Sequence, residues 1–147
     1  MSAAAILLCL VVGVADGDTL TARCGDPGAY EQVKVRLSAV DAPERKQAFG
    51  QVSRQNLAAL CFQQQATITY KSRDRYGRMV ADVECQGKDA GQEMVRAGLA
   101  WYYVRYGAGY SQLAQLEVLA RDAGRGLWSD PNPVAPWDWR KSGTRTQ

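Results

Sequence analysis

Residues 11 to 24 alternate apolar and polar side chains around the pair Asp16-Gly17. An Asp-Gly pair flanked by alternating runs is a strong hairpin signal, so two strands and a tight turn are predicted here. Alternation resumes from Gln32 to Val40, with Val33, Val35 and Leu37 on one face and Lys34, Arg36 and Ser38 on the other, which predicts a third strand. Beyond the break Asp41-Ala42-Pro43-Glu44 the period lengthens. Phe49, Val52, Asn56/Leu57, Leu60 and Cys61 recur at three- and four-residue intervals, the buried stripe of a helix over about 47 to 63. Two further strands, about 66 to 72 and about 78 to 85, flank Arg73-Asp74-Arg75-Tyr76-Gly77, whose glycine suits a turn residue at positive φ. Asp89 is placed to cap a second helix that Gly98 ends. Leu113, Leu116, Val118, Leu119 and Ala120 give a third helix, over about 111 to 123, its apolar face. The tail PNPVAPWDWRKSGTRTQ is expected to run irregularly over the surface and to fray from about residue 141.

Five short strands, with a helix before the fourth, define an α+β chain that is mainly β. They fit a five-stranded OB-fold barrel with about three helices better than a doubly wound sheet, because strand and helix do not alternate from the start. The 147 residues are one domain's worth of chain, with 46% hydrophobic and 22% charged positions, enough to bury a core without staples. The chain contains no histidine, which excludes imidazole bases, Ser/His/Asp and Cys/His triads and histidine-ligated zinc. Any catalysis falls to carboxylates, arginines, lysines or an oxygen-bound metal. A net charge of +3 is a mild bias toward anionic partners.

Residues 3 to 12, AAAILLCLVV, have the length and character of an export signal core, although no Lys or Arg precedes them. Residues 1–10 are therefore read as an export leader cleaved near Cys9, and the alternative is a buried first strand with an apolar overhang. The leader points to secretion or the periplasm. With Cys9 removed, three cysteines remain, and Cys61 with Cys85 is the favoured pair. No stable membrane association is expected, and a monomer is the expected state for an exported protein of this size.

Three segments carry candidate chemistry: Asp16-Gly17-Asp18-Thr19, Asp41-Ala42-Pro43-Glu44 and Arg73 to Arg78. Singly they read as a turn, a polar break and a charged hairpin tip. Together they offer carboxylates and a backbone carbonyl for a hard cation and permanently charged planar forks, Arg36 and Arg78, for phosphate oxygens. Hydrolysis of a phosphodiester needs both.

VADGDT, VRLSAVDAPE, DRYGR, MVRAGLAWYY and GLW, in that order, resemble the motifs of the staphylococcal nuclease (thermonuclease) family over about residues 11 to 140. The resemblance implies an OB-fold barrel and Ca²⁺-dependent hydrolysis of DNA and RNA, by endonucleolytic and exonucleolytic cleavage, to products ending in 3′-phosphate. It assigns Asp18, Asp41 and the carbonyl of Ala42 to the calcium ion, with Asp16 supporting them from behind. Arg36 and Arg78 become the phosphate-binding arginines and Glu44 the general base. Arg75, Tyr76 and Tyr106 become substrate contacts, the last with Tyr103 as an alternative match. Trp128, Trp137 and Trp139 are read as structural. The loop after Glu44 is shorter and less lysine-rich than in the best-known member. The competing reading is a non-catalytic OB-fold module that binds single-stranded nucleic acid or a protein tail.

Overall fold

In the computed structural model, which describes residues 5–145, β1 (Ile6–Asp16) turns at Gly17-Asp18 into β2 (Thr19–Cys24), with Asp16 opposite Thr19 and Cys9 opposite Cys24. β3 (Glu31–Leu37) pairs with β2. On the other edge of β1 lies β5 (Gln65–Arg73), followed by β6 (Met79–Cys85). A parallel pairing of Val35–Leu37 with Met79–Ala81 then joins β3 to β6 and closes a five-stranded barrel. β1 can serve two neighbours because it is long and bends at two register shifts, Val11/Gly13 and Val14/Asp16. Closure leaves these strands with no long exposed edge, and the result is an OB-type barrel.

The alternation predicted for the third strand is real, but the strand ends at Leu37. Val35 and Leu37 are buried and Lys34 is exposed. Ala39 then takes φ 61°, a left-handed turn that starts a separate two-residue strand, β4 (Val40–Asp41). The first helix, α1 (Gly50–Cys61), starts three residues later than the pattern predicted, because residues 44–50 are taken up by turns in which Gln47 N–H donates to Glu44 O and Gly50 N–H to Gln47 O. A short β7 (Lys88–Asp89) precedes α2 (Ala90–Arg96). As predicted, Asp89 caps that helix, accepting from Gln92 N–H at 2.9 Å, and Gly98 follows it at φ 73°. β8 (Trp101–Tyr102) pairs with β4, and α3 (Ser111–Asp122) packs against α2. The core lies between the barrel and the helices: Val11, Leu20, Val35, Leu37 and Ile68 from strands, Leu57, Met94 and Val95 from helices.

Three expectations change. The C-terminal tail is not irregular: Pro136 opens a fourth helix, α4 (Pro136–Arg145), in the first turn, where an N–H has no intrahelical partner to lose. Trp137 docks it, stacked on Tyr103 (5.1 Å between centroids, 8° between planes) and edge-on to Trp101. Trp128 also meets Trp101 edge-on. Second, Ile6–Leu10 of the apolar run form strand, paired with Thr69–Gln65; residues 1–4 lie outside the described residues. Third, Cys24 is not an odd thiol. It is disulfide-bonded to Cys9, while Cys61 bonds to Cys85 as expected.

Candidate functional site

The β1–β2 tip is pressed onto α1 and β4 at Gly17. A Cβ there would overlap Ser53 Oγ and come within 2.9 Å of Ala42 Cβ, so the close approach requires glycine. That approach carries Asp18 into the interior. Its carboxylate accepts from Ala42 N–H at 2.7 Å and from Thr19 Oγ1 at 2.9 Å, and its carbonyl accepts from Leu37 N–H. The tip of one hairpin is thereby laced to the end of β3 and to β4.

Arg36, the last outward-facing residue of β3, reaches into the same place. Its Nη1 donates to Val40 O at 2.7 Å and lies 3.5 Å from Asp18 Oδ2, while Nη2 donates to Asp41 Oδ1 at 3.4 Å. Asp41 is 1% exposed. One guanidinium thus sits between two buried carboxylates, one supplied by the β1–β2 turn and the other by β4.

The acids feel one another. Burial pushes the Asp16 carboxyl up to about 8, helped by the charge of Asp18 and a hydrogen bond shared with it. Burial pushes Asp41 up as well, against the bonds from Arg140 and with the charge of Asp18 adding to the rise. Burial would raise Asp18 too, but Arg36 and the bonds from Asp16, Ala42 and Thr19 outweigh it and hold that carboxyl below its ordinary value. Burial is the leading cause at both Asp16 and Asp41, and the charge of Asp18 adds to each rise.

On the facing wall, the turn between β5 and β6 is organised by Asp74. Its Oδ1 accepts from the N–H groups of Tyr76 and Arg78, and its Oδ2 accepts from Arg78 Nε at 2.7 Å. Slight burial pushes the Asp74 carboxyl up, but these bonds prevail and hold it low. The salt bridge uses Nε, not the Nη pair that grips a phosphate in bidentate fashion. Gly77, at φ 81°, makes the turn. Arg75 Nη2 donates to Tyr76 Oη at 2.8 Å, and both Arg75 and Arg78 lie over the Tyr76 ring, which is 69% exposed.

These residues line a single cleft of about 1010 Å³ that holds Asp16, Asp18, Arg36, Asp41, Glu44, Arg75, Tyr76, Arg78 and Tyr106. Every side chain singled out in the sequence is brought there, and Ala42, buried, meets Asp18 through its N–H. Tyr103 and Tyr106 both line the cleft, edge to face at 5.2 Å; Tyr106 is the exposed one, while Tyr103 is stacked on Trp137. The sequence reading missed Arg140, whose guanidinium bonds Asp41 and Glu44, and Arg105, which extends the basic wall beside Tyr106. Arg140 lies in the tail read as irregular, and Arg105 carried no pattern beyond a charge in an aromatic run.

Among the described residues no group of three or more His, Cys, Asp or Glu side chains stands in a metal-binding arrangement. The donors present are the closely set carboxylates of Asp18 and Asp41 with backbone oxygens beside them. That all-oxygen set fits a hard divalent cation that completes its shell with carbonyls and water.

A closed OB-type barrel thus presents carboxylates and guanidiniums to one cleft, a set suited to a cation and a phosphate. The sequence profile of the staphylococcal nuclease homologue family matches residues 34–130, and the chain belongs to that family. It is 43% identical over 133 residues to a Haemophilus influenzae protein named as an uncharacterised endonuclease, covering 90% of this chain and 72% of the relative. It is 39% identical over 142 residues to the micrococcal nuclease of Shigella flexneri, covering 90% and 79%. Identity to the staphylococcal-like nuclease CAN1 of Arabidopsis thaliana is 38% over 112 residues, 76% of this chain but 34% of that one. No helix among the described residues is long and apolar enough to cross a membrane.

Proposed function

We propose that the protein is a Ca²⁺-dependent nuclease that hydrolyses the phosphodiester bonds of DNA and RNA to 3′-phosphate products, acting as a monomer outside the cytoplasm. The observation that carries this reading is Arg36 lodged between Asp18 and Asp41 on the wall of a cleft that also holds Glu44 and Arg78. Two disulfides support an oxidising compartment.

In this reading Asp18, Asp41 and the Ala42 carbonyl hold the ion, and Asp16 steadies Asp18, whose N–H donates to Asp16 Oδ1 at 3.2 Å. When bound, the ion polarises a phosphoryl oxygen and offsets its charge. Glu44 takes a proton from the attacking water, whose oxygen bonds to phosphorus as the bond to the 5′-oxygen breaks; that oxygen departs with the bonding pair and takes a proton from solvent to become the 5′-hydroxyl. The phosphate therefore stays on the 3′ side. Arg36 and Arg78 donate to the equatorial oxygens, and their bonds strengthen as negative charge builds there. Tyr76 and Tyr106 offer faces for bases to stack on, at about 1 to 3 kcal/mol each, and Arg75 fixes the Tyr76 hydroxyl; stacking and phosphate contacts read little sequence, so weak base preference is expected.

Incubation of a labelled single-stranded oligonucleotide with the protein and Ca²⁺ gives shortened products, a chelator abolishes them and added Ca²⁺ restores them. A shifted but intact band would support the binding module instead, and full cleavage in excess chelator would eliminate the metal. Arg36→Ala, Arg78→Ala and Glu44→Ala each lower kcat by on the order of 10²-fold or more with the fold retained. Wild-type turnover in all three would overturn the assignment. Sequencing the mature N-terminus from medium and from cytosol tests export.

A further inference from the structure

The family match ends at residue 130, yet α4, which begins at Pro136, delivers a guanidinium to the site. Arg140 Nη2 donates to Asp41 Oδ2 at 2.8 Å, while Nη1 donates to Glu44 Oε1 at 2.6 Å and to Asp41 Oδ1 at 3.3 Å. One planar fork therefore ties the carboxylate of β4 to the carboxylate in the loop that follows. The segment that carries Arg140 is itself anchored. Trp137 stacks on Tyr103, Ala135 is buried beside Trp101, and Gln47 Nε2 donates to Val134 O at 2.6 Å. Gln47 also accepts the Glu44 N–H on its Oε1, at 3.1 Å. Glu44 is thus tied to the C-terminal segment twice, its backbone through Gln47 and its carboxylate through Arg140.

The Glu44 side chain is 32% exposed on a loop, and a glutamate so placed samples several rotamers unless something fixes it. Catalytic geometry is unforgiving: a displacement of about 1 Å costs on the order of 10²-fold in rate. Arginine suits the task because its fork bonds two carboxylates at fixed spacing, which the point charge of lysine does not do.

We propose that Arg140 is a positioning residue for Glu44, so that the C-terminal helix, outside the matched region, is part of the working site. This rests on the nuclease reading above. The test uses Arg140→Ala and Arg140→Lys in the full chain, with tryptophan fluorescence reporting whether α4 stays docked. With a labelled oligonucleotide and Ca²⁺, both variants lose about 10- to 100-fold in kcat while KM stays within about threefold. In a Glu44→Gln background, Arg140→Ala costs less than about twofold more, because the two side chains act as a unit. In the protein without metal or substrate, amide exchange at Gln47 and Gly50 speeds up about 10-fold in Arg140→Ala, which reads the pinning of the loop without reference to activity. Wild-type kcat in either variant, a full additional loss in the Glu44→Gln background, or unchanged exchange overturns the proposal. A wild-type protein that cleaves nothing overturns the nuclease reading instead, and the exchange measurement still decides whether Arg140 holds the loop.

Discussion

At the residue scale, the site is a problem of buried charge solved by geometry. Asp18 and Asp41 are 5% and 1% exposed, and carboxylates this deep survive only when paired and hydrogen-bonded. Arg36 provides the pairing, and its place was legible because strand alternation put it on the face opposite Val35 and Leu37. Arg140 was not legible, since nothing in the sequence links it to Asp41, 99 residues earlier. Asp74 acts through Arg78 by organising the turn from which that guanidinium projects. Asp74→Ala is expected to lower kcat/KM on an oligonucleotide by about 10-fold, with a modest fall in melting temperature, because two turn N–H bonds are lost along with the partly exposed ion pair. Unchanged kcat/KM would show that Arg78 needs no such aiming.

At the element scale, the long periodic pieces were readable and the short ones were not. The β1–β2 hairpin, the first three helices and the Asp89 cap all left a repeat, a turn pair or a capping residue, although the turn falls at Gly17-Asp18, one residue after the Asp16-Gly17 pair that signalled it. β4 and β8 have two residues each, too few to show a period, yet their pairing sets Asp41 in the cleft. α4 was hidden because Pro-rich chain leads into it; the signal that could have found it was Pro136 at a helix start followed by an acid, Asp138, in the first turn. Close approach between elements was equally invisible. Gly17→Ala should push the β1–β2 tip off α1, destabilising the protein by about 1 to 3 kcal/mol and lowering turnover by displacing Asp18; chemical denaturation and kinetics on the same variant check both. The start of α3 is tied to the barrel by Tyr110 Oη, which donates to Asp82 Oδ1 at 2.7 Å. Burial, with Asp82 as acceptor and negative neighbour, pushes the Tyr110 phenol up to about 12. The folded state therefore holds this proton more tightly than the unfolded chain does, and the associated stability is complete below pH of about 10 and lost as pH rises toward about 12. Tyr110→Phe should melt lower than wild type at pH 8 but lose less stability between pH 10 and 12. Equal alkaline losses in the two proteins would refute the linkage.

At the scale of the whole molecule, one end of the barrel is built for strength and the other for chemistry. Cys9–Cys24 closes the open end of the β1–β2 hairpin, and the seven residue steps from Cys9 to Asp16 separate it from the tip that carries Asp18 by about 23 Å of strand. The double variant Cys9→Ser, Cys24→Ser is expected to lose about 3 kcal/mol of stability, the magnitude for a closed loop near 15 residues, while kcat stays within about twofold. A collapse of kcat in a folded variant would mean that the two ends are coupled. The barrel type followed from sequence pattern; the parallel closure of β3 on β6 and the Cys9–Cys24 bond did not, the latter because the apolar start of β1 has the composition of a leader. The central claim is that folding gathers Asp18, Asp41, Glu44, Arg36 and Arg78 around one reacting phosphate. A crystal soaked with Ca²⁺ and a nucleoside 3′,5′-diphosphate tests it most directly. The ion is expected on Asp18 and Asp41, with a phosphate gripped by Arg36 and Arg78 and Glu44 facing its phosphorus; an ion bound elsewhere, with the two guanidiniums turned away from the phosphate, would contradict it.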